Sequence, residues 1–184
     1  YTFIFQKTGA KIKARYTFTY KWNGTQWLIT SHHSSAVPHD DAPLEHVHQE
    51  ISQHTELCIA ATEEDIARLF DRWNASLQTG DVHKVSANYA ATSVFLPIVS
   101  SRPRLTATDK EDYFLHFLEN RPVGRIDSRE IEIDCNTAID TGLYTFIFQK
   151  TGAKIKARYT FTYKWNGTQW LITSHHSSAV PHDE

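Results

Sequence analysis

An α+β fold, a curved antiparallel sheet wrapped around N-terminal helices, is predicted by three observations. Apolar residues recur at helical spacing between about 62 and 120. From Arg125 onward the period changes to two. The strand-like ending of the chain is spelled twice, residues 1–40 returning letter for letter as 144–183. Helices and strands segregated in this way pack as layers, and a repeat has to be resolved before any topology. Tyr1 corresponds to Tyr144 and Asp40 to Asp183. Residues 1–40 therefore read as the closing strands of a preceding or exchanged repeat, 41–61 as a linker and 62–184 as the complete module. The chain starts at Tyr1 and contains no Met, which reads as a piece excised from a longer polypeptide, any targeting segment lying upstream.

The helices come first. Thr62-Glu63-Glu64-Asp65 opens one with a capping box and acidic residues at the positive end of the dipole. Ile66, Leu69, Phe70, Trp73 and Leu77 form its apolar face, and Gly80 stands where a left-handed C-cap belongs. Val82, Val85 and Tyr89 suggest a shorter second helix, followed by a brief strand at Ser93–Pro97. Thr108 and Glu111 form a second capping box, opening a helix with Tyr113, Phe114, Phe117 and Leu118 inward until Pro122 forbids continuation. Four strands follow, at about 126–134, 138–148, 154–165 and 169–178. Asn166-Gly167 signals a type I′ hairpin and Thr151-Gly152 another turn. Asn23-Gly24-Thr25 and Asn166-Gly167-Thr168 also match glycosylation acceptors, but the hairpin turn suffices as their reason.

Composition excludes several partners. Nineteen basic residues against 21 acidic ones provide no basic field for nucleic acid. No apolar run approaches the roughly 18 residues of a membrane span. Cys58 and Cys135 lack C-x-x-C spacing, so neither a disulfide framework nor a thiolate zinc site is expected, and the redox compartment stays open. His46, His48 and His54 in the linker read as a solvated face rather than a metal site.

Strand alternation sorts the sheet faces. Tyr144, Phe146 and Phe148, then Tyr159, Phe161, Tyr163 and Trp165, then Leu171, Thr173, His175 and Ser177 are expected on the core face. Thr145 and Ile147, then Arg158, Thr160, Thr162 and Lys164, then Trp170, Ile172, Ser174, His176 and Ser178 are expected outside. Tyr144, Tyr159, Thr173, His175 and Ser177 would then bring hydroxyls and an imidazole into an apolar enclosure, either a satisfied network or a pocket. His175 and His176 point to opposite sides and cannot share a metal, so neither metal nor cofactor is expected. A Ser-His-Asp hydrolase lacks its Gly-x-Ser-x-Gly elbow.

These residues carry a resemblance. The helix Ile66–Leu77 ending in Gly80-Asp81, the strand Phe95-Leu96-Pro97, the strands Asp140–Phe146 and Ala157–Phe161, and the ending Trp170-Leu171-Ile172 to Pro181 resemble the association domain of calcium/calmodulin-dependent protein kinase II. That domain is a nuclear transport factor 2-like cone. The closing motif also resembles that of the iota class of carbonic anhydrases, built on this domain, where His-His-His-Ser-Ser is usual and Ser174 here takes the first position. Tandem modules resemble the algal members of that class, which implies a plastid setting. The resemblance implies metal-independent, reversible hydration of carbon dioxide to bicarbonate. Tyr144, His175 and Ser177 would be catalytic, with Thr173 and Tyr159 binding substrate and His175 orienting or deprotonating water.

Two other functions fit the same residues. One is an oligomerisation hub whose outer face of Trp170, Ile172, Thr160 and Thr162 forms a dimer. The other is a small-molecule isomerase or hydratase with His175 as base. Pocket size discriminates: a narrow polar end fits bicarbonate, a deep apolar cone fits a bulky substrate, and no cavity favours the hub. The repeat supplies a second candidate set, Tyr1, Tyr16, Thr30, His32 and Ser34, but only one set of helices. Either copy could complete the module, the N-terminal one by circular permutation. The unused copy would expose an apolar face and strand edges, so a homo-oligomer, a dimer with strand exchange through 1–40, is expected.

Overall fold

The computed structural model describes residues 1–38 and 58–181. Most of the linker, with His46, His48 and His54, lies outside the described residues. Ordinary chain order builds the module. Helix α1 (Glu63–Gln78), the short helix α2 (Val82–Ser86), strand β4 (Tyr89–Leu96) and helix α3 (Ala107–Leu118) precede strands β5 (Pro122–Ile133), β6 (Thr137–Phe148), β7 (Lys154–Trp165) and β8 (Trp170–Ala179). The sheet runs β4-β8-β7-β6-β5. Its β4–β8 pair is parallel, so the sheet is mixed rather than wholly antiparallel.

Local chemistry accounts for the elements. Thr62 and Asp65 cap α1 reciprocally, and Ile66, Leu69, Phe70, Trp73 and Leu77 are its buried face. The second capping box is Thr106 with Asp109, two residues earlier than Thr108-x-x-Glu111. Glu111 instead accepts hydrogen bonds from Ser86 and His83. The Asn166-Gly167 turn is not type I′, because only Gly167 has positive φ. Four residues make the connection, and Asn166 Oδ1 accepts from the Thr168 and Gln169 amides. Asn74 locks α1 to β5 by exchanging hydrogen bonds with both backbone groups of Gly124. Cys58 and Cys135 are joined by a disulfide across 77 residues, correcting the expectation of no such bond. Tertiary proximity, not a spacing motif, makes the pair: the Ile59 amide also donates to the Cys135 carbonyl.

One irregularity reassigns half a strand. The β7–β8 register pairs Thr162 with Ser174 but Tyr163 with Ile172, leaving Thr173 as the extra residue of a bulge. A one-residue slip turns every preceding side chain to the other face. Ile172 and Trp170, expected outside, are therefore in the core. Thr173 turns outward and meets Thr162 Oγ1 at 2.7 Å. The N-terminal copy repeats this: Thr19 pairs with Ser31 and Tyr20 with Ile29, and Thr30 meets Thr19.

That copy forms its own sheet, β1 (Thr2–Ile4), β2 (Lys11–Trp22) and β3 (Trp27–Ala36). It lies against the outer face of β7 and β8 in the same chain. Thr17 Oγ1 meets His176 Nδ1 at 3.1 Å, and Thr160 Oγ1 meets His33 Nδ1 at 3.0 Å. Ser35 Oγ meets His176 Nε2 at 2.9 Å, and Ser178 Oγ meets His33 Nε2 at 2.8 Å. Thr17, His33 and Ser35 are the repeat counterparts of Thr160, His176 and Ser178. The two sheets thus exchange identical bonds across a local two-fold axis, on which the His33 and His176 rings stack 3.7 Å apart. Reciprocity of this kind marks an isologous interface.

A close backbone approach at β5–β6 yields a test. A Cβ on Gly142 would lie 2.1 Å from the Ser128 carbonyl oxygen, beside the bulge between Ile126 and Ser128. Gly142→Ala is expected to cost about 3 kcal/mol, lowering the thermal midpoint by roughly 6–12 °C. A calorimetric midpoint unchanged from the parent chain would contradict this account of the bulge.

Candidate active site

Three sequence-predicted residues meet at one small cavity. Tyr144, His175 and Ser177 line it with Trp73, Phe95, Ile98, Tyr113, Phe114, Phe117 and Phe146. Its volume is about 10 Å³, close to the least space that holds one water. Of the lining, only Ile98 and Phe117 are half-exposed, so these two side chains form the mouth. Strand β6 supplies Tyr144. Below its bulge, β8 is in step with the core face and supplies His175 and Ser177.

The polar atoms form one chain of hydrogen bonds. Tyr144 Oη donates to Ser177 Oγ at 2.5 Å. His175 Nε2 stands 3.5 Å from the Tyr144 oxygen, and Nδ1 is 2.8 Å from Tyr89 Oη. With Tyr144 donating to Ser177, the consistent assignment has Nε2 protonated toward Tyr144 and Tyr89 donating to Nδ1. Ser177 then keeps its own hydroxyl proton for a guest. The His175 ring is held between Phe161, with centroids 4.0 Å apart, and Phe95, at 4.6 Å. Burial holds its pKa well below the ordinary histidine value, so the imidazole is neutral at pH 7. Desolvation also raises the Tyr144 and Tyr89 hydroxyls, which stay protonated.

The other predicted residues are placed elsewhere. Tyr159 faces the core, but its hydroxyl donates to Asp140 Oδ1 at 2.7 Å, and Asp140 is bound by Arg129 at 2.9 Å. It serves the buried carboxylate of a half-buried ion pair, not the cavity. Burial raises the Asp140 pKa despite that pairing. Thr173 is outside, moved there by the bulge. In the N-terminal copy Tyr1 and Ser34 touch as Tyr144 and Ser177 do. Yet Tyr1 is 37 % and Tyr16 50 % exposed, His32 is exposed, and Thr30 is turned to Thr19. Among the described residues no helix covers that face. Tyr89 was missed because the spacing Val82, Val85, Tyr89 extends a helical pattern. Asn88, bonded to the α2 carbonyls of Lys84 and Val85, closes that helix and starts β4 one residue later. Among the described residues, no three metal-ligating side chains converge.

Behind the cavity, His176 and His33 are also buried. Desolvation comes first for both; Arg158, Arg15 and His32 then help hold His33 down to about 3, and His33, Arg15, His175 and Arg158 help hold His176 down to about 2.

Comparison with known proteins accords with this architecture. Residues 62–181 match the calcium/calmodulin dependent protein kinase II association domain family. A solved Xanthomonas campestris protein assigned to the same association domain is 41 % identical, covers 72 % of this chain and 100 % of its own, and superposes with a TM-score of 0.63. A nuclear transport factor 2-like protein from Pseudomonas putida is 18 % identical over 66 % of this chain and 87 % of its own, with a TM-score of 0.57. A Streptomyces avermitilis protein assigned as a dehydratase of that family is 12 % identical over 65 % and 96 %, with a TM-score of 0.58. The last two are alike in fold alone. Among curated proteins none matches the chain.

The three buried histidines set a pH dependence. Each has a folded pKa below its unfolded value near 6.5, so its contribution is intact above that pH. As pH falls below 6.5 the unfolded chain binds protons that the folded state refuses, and stability drops by up to about 1.4 kcal/mol per unit for each. Urea titrations between pH 7.5 and 5 are expected to show this fall, and a His33→Gln, His176→Gln double variant to lose about two thirds of its slope. An unchanged slope in that variant would overturn the assignment.

Proposed function

The chain belongs to the calcium/calmodulin dependent protein kinase II association domain family, and on that scaffold we propose a carbonic anhydrase working through hydroxyls rather than a metal. The observation that carries this reading is the cavity: about 10 Å³, mostly apolar in its lining, with the hydrogen-bonded Ser177, Tyr144 and His175 among its walls. About 10 Å³ holds one water, so carbon dioxide together with water requires Ile98 or Phe117 to move aside, a smaller displacement than the bulky substrate of an isomerase or hydratase would demand.

In the proposed reaction, carbon dioxide and water give bicarbonate and a proton. The water oxygen bonds to carbon while one carbon–oxygen π pair moves onto the oxygen that the Ser177 hydroxyl bonds. Preorganised donors in a water-poor site stabilise that developing charge. The water proton passes to solvent at the cavity mouth, while the chain from His175 Nε2–H through Tyr144 to Ser177 keeps the Ser177 proton aimed at the developing oxyanion. Burial makes His175 a poor base, so it orients Tyr144 and Ser177 and takes no proton itself. Tyr144, Ser177 and His175 are the catalytic residues of this scheme, and Tyr89 positions the imidazole.

A second reading, an association module, is favoured by the reciprocal bonds on the outer sheet face. Its surface differs from the one expected: Thr160, His176 and Ser178 form it, and Trp170 and Ile172 belong to the core.

Stopped-flow hydration of carbon dioxide, with and without chelator, tests the first reading. Activity is expected to survive chelation, and Tyr144→Phe and Ser177→Ala each to lower kcat by about 10²-fold. Loss of activity on chelation, or unchanged rates in both variants, would remove the proposal.

A further inference from the structure

Arg15 crosses from the N-terminal hairpin into the wall of the cavity. Its Nη1 donates to the Pro97 and Ser100 carbonyls at 2.7 and 2.9 Å, and Nη2 to the Ser177 carbonyl at 3.2 Å. Pro97 and Ser100 flank Ile98 at the mouth, and Ser177 carries the cavity hydroxyl. The side chain thus ties the mouth loop to the end of β8, although it belongs to a different sheet.

Its repeat counterpart, Arg158, has no such role here. Nε is buried without a partner in both arginines, but Arg15 has its Nη bonds to three carbonyls and Arg158 makes no counterpart of them among the described residues. The reason lies in the sequence: the repeat begins at residue 144, so the hairpin holds no counterpart of Pro97 or Ser100. The interface is symmetric in its threonine, histidine and serine bonds and asymmetric at the arginines: the hairpin lacks two of the three carbonyls that hold Arg15, and the third, on Ser34, receives no bond from Arg158 among the described residues. It is an imitation of a pairing between two complete modules.

We propose that, where two modules pair through the outer face of β7 and β8 across the axis marked by the His33–His176 stack, Arg158 of each copy is a positioning residue for the other copy's cavity, donating to its Pro97, Ser100 and Ser177 carbonyls. This deepens the association reading and does not depend on the carbonic anhydrase one. It assigns to pairing a consequence for the site, because the loop that carries Ile98 is held by an arginine from the other copy.

Amide resonances of Ile98, Val99, Ser100 and Ser101 report on the loop. In the full chain, Arg15→Ala is expected to shift them and to speed their hydrogen exchange, while Arg158→Ala leaves them in place. A shortened chain starting at Cys58 retains the entire buried cluster, which draws on no residue before Ile59, and the outer face is then free. It is expected to sediment as a dimer, in which Arg158→Ala now shifts the same four amides and raises the dissociation constant about tenfold or more. A purely structural arginine would act on the loop equally in both chains. A folded, monomeric shortened chain would overturn the association reading and this proposal together. A dimer whose loop amides ignore Arg158→Ala would overturn the arginine exchange alone. Should the shortened chain fail to fold, the full chain decides: loop amides unmoved by Arg15→Ala, or moved equally by Arg158→Ala, would refute it.

Discussion

Strand β8 is buried on both faces, and that constraint orders the rest of the molecule. His175 and Ser177 point into the helical core, while His176 and Ser178 point into the hairpin, and all four are nearly inaccessible. Polar atoms removed from water must find partners or the fold loses kilocalories for each. Tyr89 and Tyr144 serve the inner pair; Ser35 and His33 serve the outer pair. The inner solution makes a chain of hydrogen bonds beside a cavity and the outer one an interface. Neither side can be altered without moving a strand that the other uses.

Much of the fold was legible because its signals are local. The face of α1 from Ile66 to Leu77, the cap at Thr62 and the alternation along β6 and β7 depend on residues close in sequence. What could not be read depends on contacts distant in sequence. The bulge at Thr173 has no motif of its own, yet it decides that Ile172 is core and Thr173 is not. Cys58 meets Cys135 because the start of the module packs beside the β5–β6 turn. Thr106 and Asp109 form the cap instead of Thr108 and Glu111, and Glu111 is engaged by Ser86 and His83 on α2.

The candidate site was legible to the same degree. Tyr144, His175 and Ser177 share a face below the bulge, where alternation from β7 holds, and they share the cavity. Tyr159 shares that face as well, but a buried Asp140 with Arg129 alongside takes its hydroxyl, a demand set by a different strand. Tyr89 escaped because a helix and a strand meet within one residue of it. Identity of sequence also proved a poor guide to identity of environment. Tyr144 sits in the core and Tyr1 is exposed, with the same residues following each along the chain.

The bare aromatic face of the hairpin has a kinetic consequence. Tyr1, Phe3, Tyr16 and Tyr20 are exposed, and they are the letters with which the C-terminal copy binds α1 and α3. Until one copy has docked, both are equal competitors for the same helices, and local side-chain chemistry cannot choose between them. Connection length can. The C-terminal strands follow β5 through tight turns, while the N-terminal ones must return across the linker, a longer loop with a larger closure entropy. A folding chain therefore chooses between two complementary partners by loop length, and a permuted, misdocked isomer is the trap that this repeat builds into its own pathway.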